Sequence, residues 1–489
     1  MSEKTLVAER PPAGGARAVA LAPVAVGHRD AGSEIAAEAA ILEEAVPSRA
    51  VRPGAGVWTL AWPAIAANLL HATVGLINIK IVGGLGAPAV AAVTTGNRIF
   101  FVLQAILMGV TAGTTTLVAR AWGAGDTREA ESVTRASTLA CSALAVLLSA
   151  AGIVFAGPLA GLFRLDAETL DLAAAFIRWT SVFNLAFAVF FVLGTALRAA
   201  GDTRTPLWLG ALANVVNVVL VYGLVYGRLG LPALGVAGAA IASGLAFTAA
   251  AGLTLLLWLD GRFLIGVGAR GSLTRPRMRA LLRIGWPAAL EQVALQGGFI
   301  VFLWIVSFYG TAPYAAYGIG VTILAISFVV GFGFQIAAAT LVGQRLGAGD
   351  PVGAVASGWR AMRLAVSAMV VLGGAIIAGA WPIARLMIDD PEVVRLTVAF
   401  IYILGAMQPL MAVEYTLGGA LRGAGDTRFP FFTVLAGLLG VRCTLAALFA
   451  WAGLPVEWIS AALIGDYVVK ASMLVARFRS GRWQRSLAG

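Results

Sequence analysis

An eleven-residue stretch that occurs twice constrains the fold of this chain more than any other feature. Residues 196–206 read ALRAAGDTRTP and residues 420–430 read ALRGAGDTRFP, so Asp202 and Asp426 lie 224 positions apart. The same offset relates further pairs, which are LVARAWGAGD ending at Asp126 and LVGQRLGAGD ending at Asp350, Trp62-Pro63 and Trp286-Pro287, and Gly86 and Gly310. One shared offset indicates two tandem copies of one unit. In a membrane chain this is typical of a transporter built from two structural repeats around a central site.

Composition places both copies in a membrane. The chain of 489 residues is 60% apolar and 12% charged, and the runs 139–158 and 364–380 carry no charge over about the length that crosses a bilayer. These runs are continuous and lack the period-two alternation of a β-barrel. Cys141 and Cys443 lie in apolar segments, which excludes a disulfide framework or a metal cluster. The fold class predicted is an all-α polytopic membrane protein.

Twelve transmembrane helices in two six-helix pseudo-symmetric lobes are predicted. Residues 1–56 are read as a disordered cytoplasmic tail, since they contain no long apolar run. The remaining segments are an N-lobe over 57–258, a linker over 259–281, a C-lobe over 282–478 and a C-terminal tail over 479–489.

The charges of the loops predict the orientation. Arginines are concentrated in one set of loops, called below the arginine-rich end, which includes Arg120, Arg128, Arg198, Arg204, Arg345, Arg422, Arg428, the 259–281 linker and the C-terminal tail. Acids mark the opposite set, which contains Asp166, Glu168, Asp171, Asp389, Asp390, Glu392 and Glu457. The positive-inside rule then places both termini and the linker in the cytoplasm, in a plasma (bacterial inner) membrane. This distribution accounts for the net charge of +11 without a nucleic-acid partner.

The repeated GAGD loops are interpreted as structural hairpins at the gate side. Glycine permits a tight turn, and the aspartate can cap the next helix, which carries proline in its first turn. A phosphate-binding loop is disfavoured because the glycine pattern differs and no lysine follows. The residues assigned to these gate motifs are Asp126, Gly201, Asp202, Arg204, Asp350, Gly425, Asp426 and Arg428.

These motifs resemble the multidrug and toxin extrusion (MATE) family, and its DinF-type branch in particular. The resemblance rests on ALRAAGDTRTP, NVVN at 214–217, the GAGD loops, Gly-Leu-Gly at 84–86 and WPAALEQ from 286, and it covers about residues 57–485. It implies twelve helices in two lobes around a central cavity. It also implies efflux of organic compounds driven by inward proton or sodium flow, with no ATP site or other cofactor, and a monomer in the lipid bilayer.

The N-lobe departs from the family pattern. Where relatives resemble V-D-T-x-x-V-G, this chain has Asn78 in place of the acid. Where they resemble N-x-x-N-x-x-L-D, Asn214 and Asn217 are kept but Val221 replaces the acid. Lys80 is a further N-lobe candidate, together with Arg98 and Asn184. Asn214 and Asn217 are interpreted equally well as cavity lining or as hydrogen-bonding contacts between helices, and Lys80 as snorkelling to the interface.

Carboxylates remain within the spans of the C-lobe at Glu291, Glu414 and Asp466. Ionisable groups at membrane depth are costly and functional by default, so coupling is predicted in this lobe. Asp466 stands four residues before Lys470, the spacing of a structural ion pair. The alternative for the two glutamates is that each neutralises Arg442 or another arginine of the spans and never titrates.

Two other classes of function compete with an antiporter. A flippase or exporter for a lipid or another anionic substrate would suit Lys80 and Arg98. A membrane-embedded enzyme is disfavoured because His28 and His71 are the only histidines, and His28 lies in the tail. The prediction is a non-enzymatic secondary antiporter that exports amphipathic organic compounds or drugs as small-molecule substrates.

Overall fold

A computed structural model describes residues 56–163, 165–267 and 273–486, and the described parts are helices joined by turns. Eleven of these helices are long and apolar enough to cross a membrane, and a bent pair supplies a twelfth span. The predicted all-helical membrane fold is thereby confirmed. The N-terminal tail predicted over 1–56 lies outside the described residues apart from Gly56.

Each lobe repeats one order of helices. The first lobe contains α1 (Val57–Gly83), α2 (Ala87–Gly123), α3 (Thr127–Val154), α4 (Ala156–Gly161), α5 (Ala167–Val182), α6 (Asn184–Ala200), α7 (Arg204–Tyr226) and α8 (Gly235–Leu259). The second contains α9 (Arg275–Ser307), α10 (Thr311–Gly347), α11 (Pro351–Ala378), α12 (Ala380–Met387), α13 (Pro391–Gly423), α14 (Arg428–Val434), a π-helix (Leu435–Cys443), α15 (Thr444–Trp451) and α16 (Val456–Arg479). A short 3₁₀ helix (Arg482–Arg485) follows.

The aspartates of the repeated loops begin the helices that follow them. The Asp126 side chain accepts a hydrogen bond from the backbone N–H of Glu129 at 2.9 Å, and Asp350 accepts one from Gly353 at 2.6 Å. Such caps satisfy backbone donors that have no partner in the first turn. The same side chains therefore fix where α3 and α11 start in the two lobes.

Two spans are interrupted. The fourth span bends by 51° between α5 and α6, at Phe183. The eleventh span runs as α14, the π-helix and α15 in direct succession. A π-turn holds an extra residue per turn and is frequent at functional sites.

The lobes meet through reciprocal contacts. Helix α2 packs on α9 while α1 packs on α10, and each pair becomes the other when the lobes are exchanged. The hydroxyl of Thr116 donates to the carbonyl of Arg422 at 2.7 Å, and that of Thr340 donates to the carbonyl of Arg198 at 3.1 Å. Both bonds obey the 224-residue offset between Thr116 and Thr340, as a pseudo-two-fold relation between the lobes requires.

Close packing across the lobes occurs at the arginine-rich end. A side chain at Gly123 would clash with the carbonyl of Gln344, and one at Gly347 would clash with the carbonyl of Arg120. Each glycine is the last residue of its helix and the first residue of a GAGD motif. Glycine is required because α2 and α10 cross there at backbone contact.

One domain boundary differs from its prediction. Helix α9 begins at Arg275, inside the linker predicted over 259–281. Its first turns are rich in arginine and fail as an apolar span, yet Arg, Met, Ala and Leu are strong helix formers. Thr274 precedes the helix and Pro276 lies in its first turn, where a missing N–H costs nothing.

Candidate functional site

A cluster of four charged side chains lies within the C-lobe. The C-lobe charged cluster comprises Glu414 of α13, Arg442 of the π-helix, and Asp466 and Lys470 of α16. Lys470 Nζ lies 3.2 Å from Glu414 Oε1 and 3.2 Å from Asp466 Oδ1. Arg442 forms a salt bridge with the second oxygen of Asp466. The formal charge is therefore balanced, because two acids and two cations form one network of salt bridges.

The cluster is withdrawn from solvent. Arg442, Asp466 and Lys470 are each at most 2% exposed, and Glu414 is half-buried. Breaking a buried ion pair by removing one partner typically costs about 3–5 kcal/mol, since it leaves an uncompensated charge. Glu414 is thus the member of the cluster with most access to a solute or a proton.

The eleventh span makes room for this cluster. A Cβ at Gly437 would clash with Asp466 and lie 2.6 Å from Cγ of Lys470. The π-helix then presents Arg442 against three aromatic rings, with its guanidinium carbon 5.6 Å from the centroid of Phe299, 5.8 Å from Phe302 and 5.6 Å from Tyr467. Aromatic faces attract a cation in such positions and add to the attraction of Asp466.

Glu291 is bound elsewhere, at the arginine-rich end of the C-lobe. It is 2% exposed and forms a salt bridge with Arg422, whose second guanidinium nitrogen lies 3.4 Å away. Arg422 is in the last turn of α13, and its carbonyl accepts the hydrogen bond from Thr116 of the other lobe. This pair therefore lies beside the contact between the lobes and apart from the C-lobe charged cluster.

A chain of uncharged groups lies in the N-lobe. Asn78 of α1 donates to Asn217 of α7 at 2.9 Å, and Asn217 donates to the hydroxyl of Ser243 of α8 at 2.8 Å. We call Asn78, Asn217 and Ser243 the N-lobe amide chain. Asn214, one turn before Asn217, is buried. Amides and a hydroxyl hold three helices together here without a charge.

The amide chain and the charged cluster occupy related places. The 224-residue offset leads from Asn78 to Phe302 and from Ser243 to Tyr467. Arg442 contacts both of these rings, just as Asn217 bonds to both Asn78 and Ser243. The N-lobe counterparts of the four charged residues are all uncharged, being Phe190, Val218, Ala242 and Ala246.

The remaining N-lobe candidates lie at three different places and form no common site. Lys80 is exposed in the last turn of α1, a position from which a lysine can reach the membrane surface. Arg98 is exposed on α2, twelve residues into the helix. Asn184 is 1% exposed, accepts from Gln104 at 3.0 Å and donates to the carbonyl of Ala145 at 3.3 Å, so its hydrogen-bonding capacity is used within the lobe.

In the loops predicted to be gate motifs, the aspartates are held by hydrogen bonds. Asp202 caps α7 by accepting from Thr205 N at 2.9 Å. Asp426 accepts from Arg477 of α16 at 2.8 Å, and Gly201 and Gly425 have left-handed φ values of +101° and +89°. Arg204 and Arg428 are exposed at this end.

An aromatic cluster lies in the N-lobe. The ring of Phe187 is centred 5.5 Å from Phe100, 5.7 Å from Phe191 and 5.1 Å from Phe247, and His71 lies 6.5 Å from Phe247. Such rings offer polarizable apolar contact with edges of positive potential. His71 is exposed beside them.

Several partners were missed from the sequence. Arg442 pairs with Asp466, not with either glutamate, and Glu291 pairs with Arg422, which the sequence had placed among the loop arginines. Ser243 and Gln104 received no role, although each lies at hydrogen-bond distance from a candidate asparagine. The 224-residue offset gave no signal for either, because it leads from Ser243 to Tyr467 and from Gln104 to Phe328.

Within the ranges that the structure describes, no three or more His, Cys, Asp or Glu side chains are grouped so that they could hold a metal ion. The cations in the C-lobe charged cluster are supplied by the protein itself.

Comparison with known proteins agrees with the architecture. The family model MatE matches residues 63–223 and 287–448, one match in each lobe. The probable multidrug resistance protein NorM of Thermotoga maritima is 29% identical over 437 residues, covering 87% of this chain and 92% of that protein. The one from Burkholderia mallei is 31% identical over 450 residues, covering 89% and 94%. The Vibrio cholerae MATE transporter VcmN in the bent form superposes with a TM-score of 0.81 at 20% identity, covering 88% and 97%.

Proposed function

Because the chain belongs to the MatE family of multidrug efflux transporters, we propose that it is a secondary antiporter that exports amphipathic organic compounds in exchange for protons. The observation that carries this proposal is the C-lobe charged cluster. This cluster contains two acids, whereas the N-lobe amide chain contains no titratable group. We therefore place the coupling in the C-lobe. The placement in the DinF-type branch stays a prediction.

Glu414 is the group we assign to proton exchange. The titratable and charged groups around it are Lys470 and Asp466 on α16, Arg442 on the π-helix, and Tyr415 beside it on α13. When Glu414 is ionised it holds Lys470 in place. When it takes up a proton, Lys470 keeps Asp466 as its partner, and the tie between α13 and α16 is released.

A proton suits this site better than sodium. The ammonium of Lys470 already occupies the position between the two carboxylates, 3.2 Å from each. A further cation would meet two like charges, which raises its electrostatic energy. A proton needs no separate site because it adds to a carboxylate oxygen directly.

The tie at Glu414 is connected to the contact between the lobes. Arg422 lies two turns along α13 from Glu414, pairs with Glu291 of α9, and offers its carbonyl to Thr116 of α2. A shift of α13 would act on both the Arg422–Glu291 ion pair and the hydrogen bond from Thr116 to Arg422. We therefore assign Glu291 a part in the gate at the arginine-rich end and Glu414 the part of coupling.

The orientation and the substrates complete the proposal. Both termini lie in the cytoplasm, as the arginine excess at one end favours, so the lobes are joined on the cytoplasmic side. An impermeant thiol reagent should fail to label Arg262→Cys from outside intact cells, and ready labelling would overturn this orientation; both native cysteines are buried.

The N-lobe aromatic cluster would contact amphipathic substrates.

Transport into proteoliposomes tests the coupling. A cationic fluorescent dye is followed under a proton gradient and, separately, under a sodium gradient. We expect the proton gradient alone to drive transport, and Glu414→Gln to abolish that response. Glu457→Gln is the matched control, since Glu457 is an exposed acid 3.5 Å from Arg395 at the opposite end. Wild-type transport by Glu414→Gln under the proton gradient would refute the assignment.

An anionic substrate is the second candidate. It is favoured by Lys80 and Arg98, which are exposed in the N-lobe and form no ion pair among the described residues. A flippase or exporter of this kind would lose transport in Arg98→Gln and keep it in Glu414→Gln, the reverse of the antiporter.

A further inference from the structure

The start of α9 carries a ladder of arginines on one face. Arg275, Arg279 and Arg283 are exposed and four residues apart, which stacks them along a helix. Arg277 lies on another side, where its Nε donates to Glu129 of α3 at 3.0 Å. The bond between Arg277 and Glu129 thus joins α9 to the N-lobe, and the three arginines of the ladder lie on the outer face of α9.

The same face becomes apolar farther along the helix. Leu282, Trp286, Leu290 and Val293 are 57%, 46%, 45% and 51% exposed. Their spacing of four, four and three residues continues the ladder as one stripe. Buried residues of α9, such as Leu281 and Ile284, lie on the other side. A charged upper part and an apolar lower part therefore share one surface of a single helix.

This surface includes a groove. An open space of about 530 Å³ is lined by Arg275, Met278, Arg279, Leu282, Arg283 and Trp286. On the neighbouring helix α14, the guanidinium carbon of Arg428 lies 5.8 Å from the centroid of the Trp286 ring, and Phe432 is 57% exposed. The groove is thus bounded by arginines and an indole, with apolar side chains leading away.

The dimensions match the boundary of a membrane. Helix α9 has 33 residues, roughly 50 Å at 1.5 Å per residue. A hydrocarbon core of about 30 Å accounts for its last 20 residues or so, which places Trp286 near the interface and the arginines at the level of the headgroups. Tryptophan is enriched at that level.

We propose that this groove binds one anionic phospholipid of the adjacent leaflet, with its phosphate between Arg279 and Arg428 and an acyl chain along Trp286, Leu290 and Val293. Arg275 and Arg279 are exposed and have no ion pair within the described ranges, so their charge is available to an anion. Basic pockets between transmembrane helices bind acidic headgroups in this way.

The ladder is not repeated at the equivalent positions of the first repeat. The offset of 224 leads from Arg275, Arg279 and Arg283 to Val51, Ala55 and Thr59, which are uncharged residues. Arg428 does have a counterpart, Arg204. A general excess of positive charge at this end would place arginines at equivalent positions of both lobes, whereas a specific binding site would not.

Native mass spectrometry of the purified full-length protein tests the proposal. Phosphatidylglycerol is titrated against phosphatidylcholine, and bound lipid is counted. Phosphatidylglycerol should bind one site preferentially. Each arginine at an anionic lipid contributes about fivefold in affinity, so Arg279→Gln with Arg428→Gln should weaken binding about 25-fold. Arg204→Gln with Arg262→Gln removes the same charge elsewhere and should leave binding unchanged.

Three outcomes would overturn the proposal. Equal binding of phosphatidylcholine would remove the role of the phosphate charge. Wild-type affinity in the Arg279 and Arg428 double variant would leave the ladder with a role in orientation only. Competition by glycerophosphoglycerol at the lipid's own concentration would show a site for a soluble anion, in which the apolar stripe takes no part.

Discussion

The two lobes place different chemistry at the same depth of the same fold. Where the N-lobe joins its helices by Asn78, Asn217 and Ser243, the C-lobe uses Arg442 and Asp466 among aromatic rings. The repeated loops, the glycine crossings and the threonine bonds between the lobes are kept nearly unchanged. The comparison teaches that the two lobes share one scaffold, whereas the buried charged cluster is present in the C-lobe and has no charged counterpart in the N-lobe.

The largest expected difference between the lobes follows from removing one acid. Asp466→Ala leaves Arg442 buried without a carboxylate, and we expect a loss of about 3–5 kcal/mol in the free energy of unfolding. Asn217→Ala removes two hydrogen bonds between neutral groups and should cost about 1 kcal/mol. Denaturant unfolding of the purified variants measures both. Equal losses would mean that the charge of the cluster is not what distinguishes the C-lobe.

An intermediate effect is expected where the cluster needs space. Gly437→Ala inserts a methyl group against Asp466 and Lys470, and overpacking of this kind costs about 1–3 kcal/mol. Its N-lobe counterpart is already an alanine, Ala213, which is buried. Thermal unfolding of Gly437→Ala checks this. An unchanged or raised midpoint would show that the π-helix has room for a side chain.

The smallest effect should be the same in both lobes. Thr116→Val and Thr340→Val each remove one hydrogen bond between the lobes, worth about 0.6 kcal/mol on average in membrane proteins. Because the two bonds are related by the pseudo-two-fold, the losses should agree. Side-by-side unfolding curves measure them. A clear inequality would place the asymmetry of the molecule at the contact between the lobes as well as inside the C-lobe.

Sequence reasoning predicted the architecture because its signals are long and repeated. Twelve apolar segments and one constant offset determine the helices and the relation of the lobes, and loop aspartates such as Asp202 predict their own caps. The charge pairs were harder. Spacing within a helix revealed Asp466 and Lys470, but the contact of Glu414 with Lys470 and that of Glu291 with Arg422 join different helices. Such pairs depend on helix rotation, which hydropathy does not record.

The π-helix has a consequence for how the repeats are compared in evolution and in engineering. The seventh helix, Arg204–Tyr226, has 23 residues, whereas the span Arg428–Trp451 has 24. A position-by-position alignment therefore equates Asn217 with Val441, although Arg442 is the residue that meets the corresponding rings. The wide turn of the π-helix brings the residue after the aligned position, Arg442, to the place that Asn217 occupies in the N-lobe. Exchanges of residues between the repeats should accordingly be designed with a gap inside Leu435–Cys443.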